Sequence, residues 1–122
     1  MKWPDNDREC NVADQENSSR AQQAVCYAVY SWMFKDDAPI ETIEGAFAEM
    51  VAIGDEVQGI QRASWGRNRA GSANGYTHTM IVVADDQAAV DEYNLRTSKH
   101  PMSGLVHSSE KQGVGVSYAL PA

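Results

Sequence analysis

The stretch of sequence that decides the fold is GYTHTMIVVADDQAAVDEY, residues 75–93. From Tyr76 to Val83 it is rich in β-branched and apolar residues, and two-residue alternation places apolar side chains on both faces of the predicted strand. A strand that is apolar on both faces needs a covering layer on each side. Asp85 and Asp86 come next, and we expect their carboxylates to accept hydrogen bonds from the first N–H groups of a helix.

The sequence on either side of this stretch predicts three more strands and one more helix. The predicted strands are residues 24–34, 58–68, 76–83 and 112–120, and the predicted helices are about 40–54 and 87–95. Residues 96–109 contain Pro101 and Gly104, so we expect them to be irregular or briefly helical. The order β-α-β-β-α-β is the ferredoxin-like pattern of an α+β protein, a four-stranded antiparallel sheet with two helices on one face.

That arrangement leaves the other face of the sheet without a cover in the same chain. Three of the four predicted strands nevertheless carry apolar residues on it, and a monomer would expose them as a large apolar patch. We therefore expect a homodimer in which two copies of the sheet pack face to face. The predicted contact residues are Tyr27, Val29, Thr79, Ile81, Val114 and Val116.

Length and charge limit the possible classes of function. The chain has 122 residues, which is the size of one domain, and its formal charge is −7. A nucleic-acid surface needs clustered lysines and arginines, so no nucleic-acid partner is expected, and an anionic membrane is equally unsuited. Residues 1–23 are polar and lack the apolar core of a secretory signal, so we interpret them as a flexible arm of a cytoplasmic protein.

Four short motifs, in this order and at this spacing, resemble the stress-responsive A/B barrel family. They are FKDDAP after the first strand, SWG at the end of the second, GYTH at the start of the third, and a helix with a tyrosine after it. The resemblance runs from about Ala24 to the C terminus and implies a dimeric α+β barrel. Members of the family include heat-stable plant stress proteins and a cofactor-free enzyme that folds a linear polyketide into a ring.

The resemblance also implies candidate catalytic residues. In the polyketide cyclase, a tyrosine on the second helix and a histidine further along provide the acid and the base, and Tyr93 matches the tyrosine. Counting without gaps puts Lys99 at the histidine position, whereas a shift of one residue puts His100 there. His78 matches the GYTH histidine, which faces the helix-covered pocket. Many members have a further histidine on the first strand, where this chain has Ala28.

Independently of the resemblance, the alternation pattern predicts a pocket between the helices and the sheet. Its walls are aromatic or apolar and two glycines leave space, which suits an apolar or aromatic small molecule. The candidate binding residues are Tyr30, Trp32, Phe47, Met80, Gly113 and Gly115. The same aromatic residues could equally be core residues whose polar tips are hydrogen bonded. A lone histidine without a carboxylate at ligand spacing does not predict a metal site, and no cofactor is invoked.

Three functions are consistent with these residues. The first is a cofactor-free enzyme, of cyclase or lyase type, that uses Tyr93 with Lys99, His100 or His78 as acid and base on a polyketide-like or aromatic carbonyl compound. The second is a non-catalytic stress or assembly protein whose hydrophobic dimer is its function. The third is a cofactor-independent monooxygenase. An occluded pocket would favour the second, and an open pocket would favour the first or the third.

Overall fold

The structure is a computed structural model, and it describes residues 25–121 of the chain. The polar arm predicted at residues 1–23 lies outside the described residues. The proposed start of the domain at residue 24 therefore stays a prediction.

The described residues form four strands and three α-helices. These are β1 (Cys26–Phe34), α1 (Ile40–Ile53), β2 (Ile60–Arg67), β3 (His78–Ala84), α2 (Gln87–Ser98), α3 (Ser103–Ser109) and β4 (Glu110–Ala119). The strands form one sheet in the order β2-β3-β1-β4, and all three neighbouring pairs are antiparallel. The predicted α+β fold of the ferredoxin-like class is confirmed. None of the helices within residues 25–121 has the length and apolar character needed to cross a bilayer.

The element boundaries differ from the prediction by a few residues, and two of the differences matter for the site. β3 begins at His78 rather than Tyr76, because Asn74 and Gly75 have positive φ angles and the N–H of Tyr76 still closes a turn onto Ala73. The second helix, predicted to end near residue 95, continues to Ser98. The segment after it contains the seven-residue helix α3, which agrees with the briefly helical alternative.

The join between β3 and α2 is held by two aspartates that play different roles. Asp86 is the N-cap of α2, since its carboxylate accepts a hydrogen bond from the Ala89 N–H at 2.9 Å. Asp85 was expected to do the same. Its carboxylate instead accepts a hydrogen bond from Nε2 of Gln61 at 2.7 Å, and its N–H donates to the Gly59 carbonyl. The pair thus starts α2 and ties that point of the chain to the β2 side of the sheet.

The helices cover one face of the sheet, and the core lies between them. Residues at even positions of β1 and β3 face this layer and are mostly buried, as the alternation pattern predicts. The helix α1 contributes one apolar stripe to the core. The buried side chains of that stripe are Ile43, Ala46, Phe47 and Met50.

The opposite face of the sheet, here called the open face, carries apolar side chains that are exposed in the single chain. Ile81 is 37% exposed, Val114 is 49% exposed and Val116 is 54% exposed. The rings of Tyr27 and Tyr118 stack on this face with their centroids 5.5 Å apart. The residues predicted to contact a second copy therefore do point away from the helices.

β4 forms one edge of the sheet. One hydrogen bond shows which of its residues point their N–H and C=O groups to β1. The N–H of Leu120 donates to the Val25 carbonyl at 3.0 Å, which continues the register that pairs Cys26 with Ala119. In an antiparallel pair, residues alternate between those bonded to the partner strand and those directed away from it. The N–H and C=O groups at even positions of β4 therefore point to β1. Those at odd positions point to the outer edge of the sheet, with which no other strand of residues 25–121 pairs.

Candidate functional site

Tyr93, the first candidate acid, is part of the core. Its side chain is 1% exposed, and its hydroxyl donates a hydrogen bond to the Met50 carbonyl at 2.6 Å. Met50 lies in the last turn of α1, where the Gly54 N–H is directed to Val51 and Ala52. The phenol therefore supplies a donor to a carbonyl at the end of the helix. Its oxygen also lies 3.8 Å from the sulfur of Met80.

Burial controls the ionisation of Tyr93. Desolvation raises the pKa of its phenol to about 12, and the neighbouring Tyr30 adds to this rise. Tyr93 therefore stays protonated at neutral pH and can act only as a hydrogen-bond donor or a general acid. Within residues 25–121, no hydrogen bond joins it to Lys99 or His100.

The predicted aromatic wall is present, but its members pack against each other. The ring of Phe47 contacts Trp32 at a centroid distance of 4.7 Å, and Phe47 itself is fully buried. Trp32 also contacts Tyr30 at 6.3 Å. Met80 is 3% exposed. Most of the predicted pocket is thus filled by its own side chains.

His78 is buried in this aromatic cluster and has a partner on each ring nitrogen. Its Nε2 lies 2.7 Å from Oε2 of Glu44, and its Nδ1 lies 2.7 Å from the hydroxyl of Thr77. The guanidinium of Arg67 donates two hydrogen bonds to the same carboxylate, at 2.7 and 2.8 Å. Because a carboxylate held by arginine is an acceptor, the geometry favours a proton on Nε2 and leaves Nδ1 to accept from Thr77.

The carboxylate of Glu44 is stabilised in its ionised form. The hydrogen bonds from Arg67, and next those from His78, lower its pKa to about 2 although desolvation opposes them. The same contact raises the pKa of the Arg67 guanidinium. This network ties α1 to the adjacent ends of β2 and β3.

The two candidates for the catalytic base lie after the end of α2. Lys99 is its C-cap and is exposed. The side chain of His100 is 10% exposed, and its Nε2 lies 2.7 Å from Oε1 of Glu49 on α1. Its Nδ1 accepts a hydrogen bond from the Met102 N–H at 3.0 Å, so in the neutral ring the proton lies on Nε2. His100 thus joins the α2–α3 connection to α1.

An open cavity does exist on the helix side, next to the predicted pocket. It has a volume of about 190 Å³ and lies between α2 and β4. We call it the Tyr30 groove, and its lining is Tyr30, Gln87, Val90, Asn94, Gly115, Val116 and Ser117. Two of the predicted binding residues, Tyr30 and Gly115, belong to it.

The polar groups of the Tyr30 groove are linked by hydrogen bonds. The hydroxyl of Tyr30 donates to Oδ1 of Asn94 at 2.6 Å. Burial raises the pKa of the Tyr30 phenol, the bond to Asn94 opposes this, and the nearby Asp91 carboxylate adds to it. Nε2 of Gln87 donates to the Asp91 carboxylate at 3.0 Å, and the Ser117 hydroxyl lies 3.5 Å from Oε1 of Gln87.

The two glycines of β4 differ in the space they leave. A Cβ at Gly113 would lie 2.6 Å from a carboxylate oxygen of Glu110, so that side chain already fills the expected space. A Cβ at Gly115 would lie 3.2 Å from the Tyr30 ring. Only Gly115 contributes to the groove, because only there does the missing side chain let the ring lie against the strand.

Several residues of these networks were missed by the sequence reasoning. Gln87, Val90 and Asn94 recur at steps of three and four along α2, and that spacing would have placed them on one side of the helix. Glu44 lies next to the apolar stripe of α1, but nothing in the sequence pairs it with His78. Over residues 25–121, no group of three or more His, Cys, Asp or Glu residues could hold a metal ion.

The comparison with protein families identifies the fold. A family described as the stress responsive A/B barrel domain matches residues 28–107, which is more than half of the chain. The chain belongs to this family. A search of curated protein sequences found no match.

Solved structures agree with the family on the fold. A hydroxynitrile lyase from Passiflora edulis superposes with a TM-score of 0.61 at 13% identity, covering 81% of this chain and 95% of that one. SnoaB, a cofactor-independent oxygenase from Streptomyces nogalater, gives 0.63 at 17% identity, covering 81% and 95%. A dimeric ferredoxin-like protein of unknown function from Thermobifida fusca gives 0.63 at 14% identity, covering 81% and 93%. This A/B barrel domain therefore shares its fold with proteins of different activities.

Proposed function

We propose that this A/B barrel protein is a homodimer that binds a small polyketide-like or aromatic carbonyl compound in the Tyr30 groove and acts on it by cofactor-free acid/base chemistry, of cyclase or lyase type. The observation that carries the proposal is the groove itself. It is an open cavity of about 190 Å³ that is lined by Val90 of α2 and by a half-buried phenol, Tyr30, hydrogen bonded to Asn94. Concave sites with few convergent polar groups are the usual form of a ligand site.

Tyr30 is the proton donor in this proposal. Its raised pKa keeps the phenol protonated at neutral pH. A substrate carbonyl that enters the groove takes over the hydrogen bond that Asn94 now accepts, and the phenol then stabilises negative charge as it develops on that oxygen. Tyr93 lies behind Tyr30 and is the alternative donor, although its proton is now engaged by the Met50 carbonyl.

The base is proposed to be one of His100, Lys99 and His78. His100 is the first choice, because histidine is the commonest general base. None of the three candidates lines the Tyr30 groove, so the proposal requires His100 to leave its contact with Glu49 and approach the bound compound. His78 is the least suited, since it is 4% exposed and both of its ring nitrogens have partners inside the core, whereas the Glu49 side chain that binds His100 is 70% exposed. Lys99 is exposed, so the protein does not desolvate its side chain, as a lysine base would require.

The binding part is tested by filling the groove. Aromatic carbonyl compounds are screened by NMR against the protein, and the amide shifts are mapped. We expect ligands to shift residues around Tyr30, and Gly115→Ala to weaken binding by roughly tenfold, because the new methyl group occupies the groove beside the Tyr30 ring. Gly45→Ala is the matched control, since nothing lies within 4 Å of a Cβ at that position. Ligand shifts that map elsewhere, or equal binding by the two variants, would reject the groove.

The catalytic part is tested with a compound found by that screen. The variants are Tyr30→Phe, Tyr93→Phe, His100→Ala, Lys99→Met and His78→Asn. An acid/base pair predicts that one tyrosine variant and one base variant each lose roughly a hundredfold in turnover. If all five turn over like the parent, the groove is a binding site without catalysis.

The homodimer is tested by its association state. The support is the apolar open face, together with similar structures that are described as dimeric. Sedimentation is expected to show a dimer at micromolar concentration, and Val114→Asp should shift it to monomer because it introduces a charge into the contact. A monomeric parent protein would contradict this.

A non-catalytic stress or assembly protein is the second candidate function. It is favoured by the close packing around Tyr93, Phe47 and Met80, which fills most of the pocket expected from the sequence. Retention of the dimer at high temperature, with no ligand found in the screen, would favour it over an enzyme. Oxygen consumption with an aromatic substrate would instead favour the monooxygenase alternative.

A further inference from the structure

A carboxylate lies next to the lining of the Tyr30 groove. None of the seven residues that line it carries a positive charge. That carboxylate belongs to Asp91, and it accepts a hydrogen bond from Gln87 at 3.0 Å. Asp91 is exposed, so it lies at the rim of the groove, and its charge contributes to raising the pKa of the Tyr30 phenol inside.

The hydrogen bonds inside the groove also leave acceptors directed at a ligand. The proton of Tyr30 is given to Asn94, so the phenol oxygen keeps lone pairs that can accept. The amide N–H₂ of Gln87 is engaged by Asp91, which leaves its Oε1 on the groove side near Ser117. The Asp91 carboxylate has about four acceptor positions, so it can accept from Gln87 and from a ligand at the same time.

We propose that the groove selects small ligands in which a primary ammonium group is attached to a single aromatic ring or a short apolar body. Asp91 determines this selectivity, because its carboxylate accepts a hydrogen bond from the ammonium at the rim. The inference rests on the proposed function, and it narrows the carbonyl compounds proposed above to those that also carry an amine. The ammonium stays close to water at the rim, so its desolvation costs little, while the apolar body lies against Val90 and Tyr30.

The size of the groove agrees with a small ligand. Cavities that hold drug-sized molecules measure about 300–1,000 Å³. The Tyr30 groove, at about 190 Å³, is smaller than that range. A ligand with a second ring would exceed this volume. We therefore use probes with one ring.

Three probes with the same phenylethyl body and end groups of different charge test the inference. They are 2-phenylethylammonium, the neutral 2-phenylethanol and the carboxylate 3-phenylpropionate, each titrated by NMR. We expect the ammonium probe to bind roughly tenfold more tightly than the carboxylate, with the neutral probe between them, and the difference to shrink at high salt. Equal or tighter binding of the carboxylate in the groove would overturn the inference.

A pair of variants on one helix isolates the role of Asp91. Asp91→Asn should lower the affinity for the ammonium probe by about two- to fivefold, as expected for an exposed charge pair, and leave the affinity for the neutral probe unchanged. Glu92→Gln removes the same charge from the neighbouring position, where the carboxylate pairs with Arg96, and should have less effect. Equal effects of the two variants would mean that only the overall charge matters and would overturn the role of Asp91.

The result also separates this inference from the proposed function. If the neutral or carboxylate probe binds in the groove and the ammonium probe does not, the groove remains a ligand site and only the inference fails. If none of the three probes shifts the amides around Tyr30, and the carbonyl screen also finds no ligand there, the groove is rejected and both fail.

Discussion

Tyr93 and Tyr30 both lie on the helix side of the sheet, and burial raises the pKa of both phenols. Their hydroxyl groups are used differently. Tyr93 donates to a backbone carbonyl in a closed core, whereas Tyr30 donates to the side chain of Asn94 at an open groove. Both hydrogen bonds have the same length, 2.6 Å.

The two hydrogen bonds differ in how freely their acceptors, the Met50 carbonyl and the Asn94 amide, can move. A carbonyl at the end of α1 cannot turn away without disturbing the helix, so the bond from Tyr93 stabilises the contact between α1 and α2. The Asn94 amide can rotate about its side-chain torsions, so a ligand can replace it at low cost. A buried tyrosine with a raised pKa is therefore not by itself evidence for a catalytic acid, and the mobility of its partner is the better indicator.

The largest effect is expected for Tyr93→Phe. It keeps the ring but leaves the Met50 carbonyl buried without its donor, which costs about 1–3 kcal/mol of unfolding free energy. Denaturant unfolding of the variant and the parent measures the difference. A change below about 0.5 kcal/mol would mean that Tyr93 contributes as little as an exposed tyrosine.

The unfolding free energy at alkaline pH also tests whether the Tyr93 phenol is shielded from water. Its pKa is raised from 10.0 to about 12 in the folded protein, so the stabilisation is complete below pH 10 and is lost as the pH rises from 10 to 12. The parent should therefore lose stability across this interval more steeply than Tyr93→Phe, which has no phenol to ionise. Parallel curves from the two proteins would show that the phenol is not shielded from water.

Glu44→Gln extends the comparison to the network around His78. We expect this variant to lose about 1 kcal/mol of unfolding free energy at neutral pH. The Glu44 pKa is lowered from 4.5 to about 2, so its stabilisation is present above pH 4.5 and disappears as the pH falls from 4.5 to 2. The gap between parent and variant should close over that interval. The control is Glu92→Gln, which breaks an exposed pair with Arg96. A gap that is independent of pH would contradict the network.

The smallest effect is expected for Tyr30→Phe. Its partner, Asn94, is exposed and can bond to water instead, so the unfolding free energy should change by no more than about 0.5 kcal/mol. The same variant should nevertheless weaken ligand binding in the groove. A loss of stability as large as that of Tyr93→Phe would remove the distinction between the two tyrosines.

The sequence was sufficient to predict the fold because alternation and helical spacing are local. The strand at residues 76–83, the cap at Asp86 and the stripe of α1 each follow from a few neighbouring residues. The start of β3 was two residues too early, because the pattern continues through Tyr76 while Asn74 and Gly75 keep the chain in a turn. Local patterns identify elements better than their ends.

The site was less predictable, because alternation assigns a side chain to a face but does not say what fills the space in front of it. Gly113 was expected to leave room, yet the Glu110 side chain occupies it. Tyr93 was expected to face a pocket, yet its hydroxyl meets a backbone carbonyl 43 positions earlier in the chain. Contacts of this kind depend on how the helices are placed over the sheet, which no short sequence pattern records.

The alternating orientation of the β4 amide groups allows pairing of this edge with another copy to be detected by hydrogen exchange. Amide protons at even positions, such as Val114 and Val116, are bonded to β1, whereas those of Gly113, Gly115 and Ser117 are directed to the outer edge of the sheet. In an isolated chain, deuterium should replace the odd-numbered protons quickly and the even-numbered ones slowly, giving an every-other-residue pattern. A second copy that pairs with this edge would slow exchange at the odd positions and erase the alternation. The ratio of the two exchange rates within β4 therefore reports whether its edge is covered.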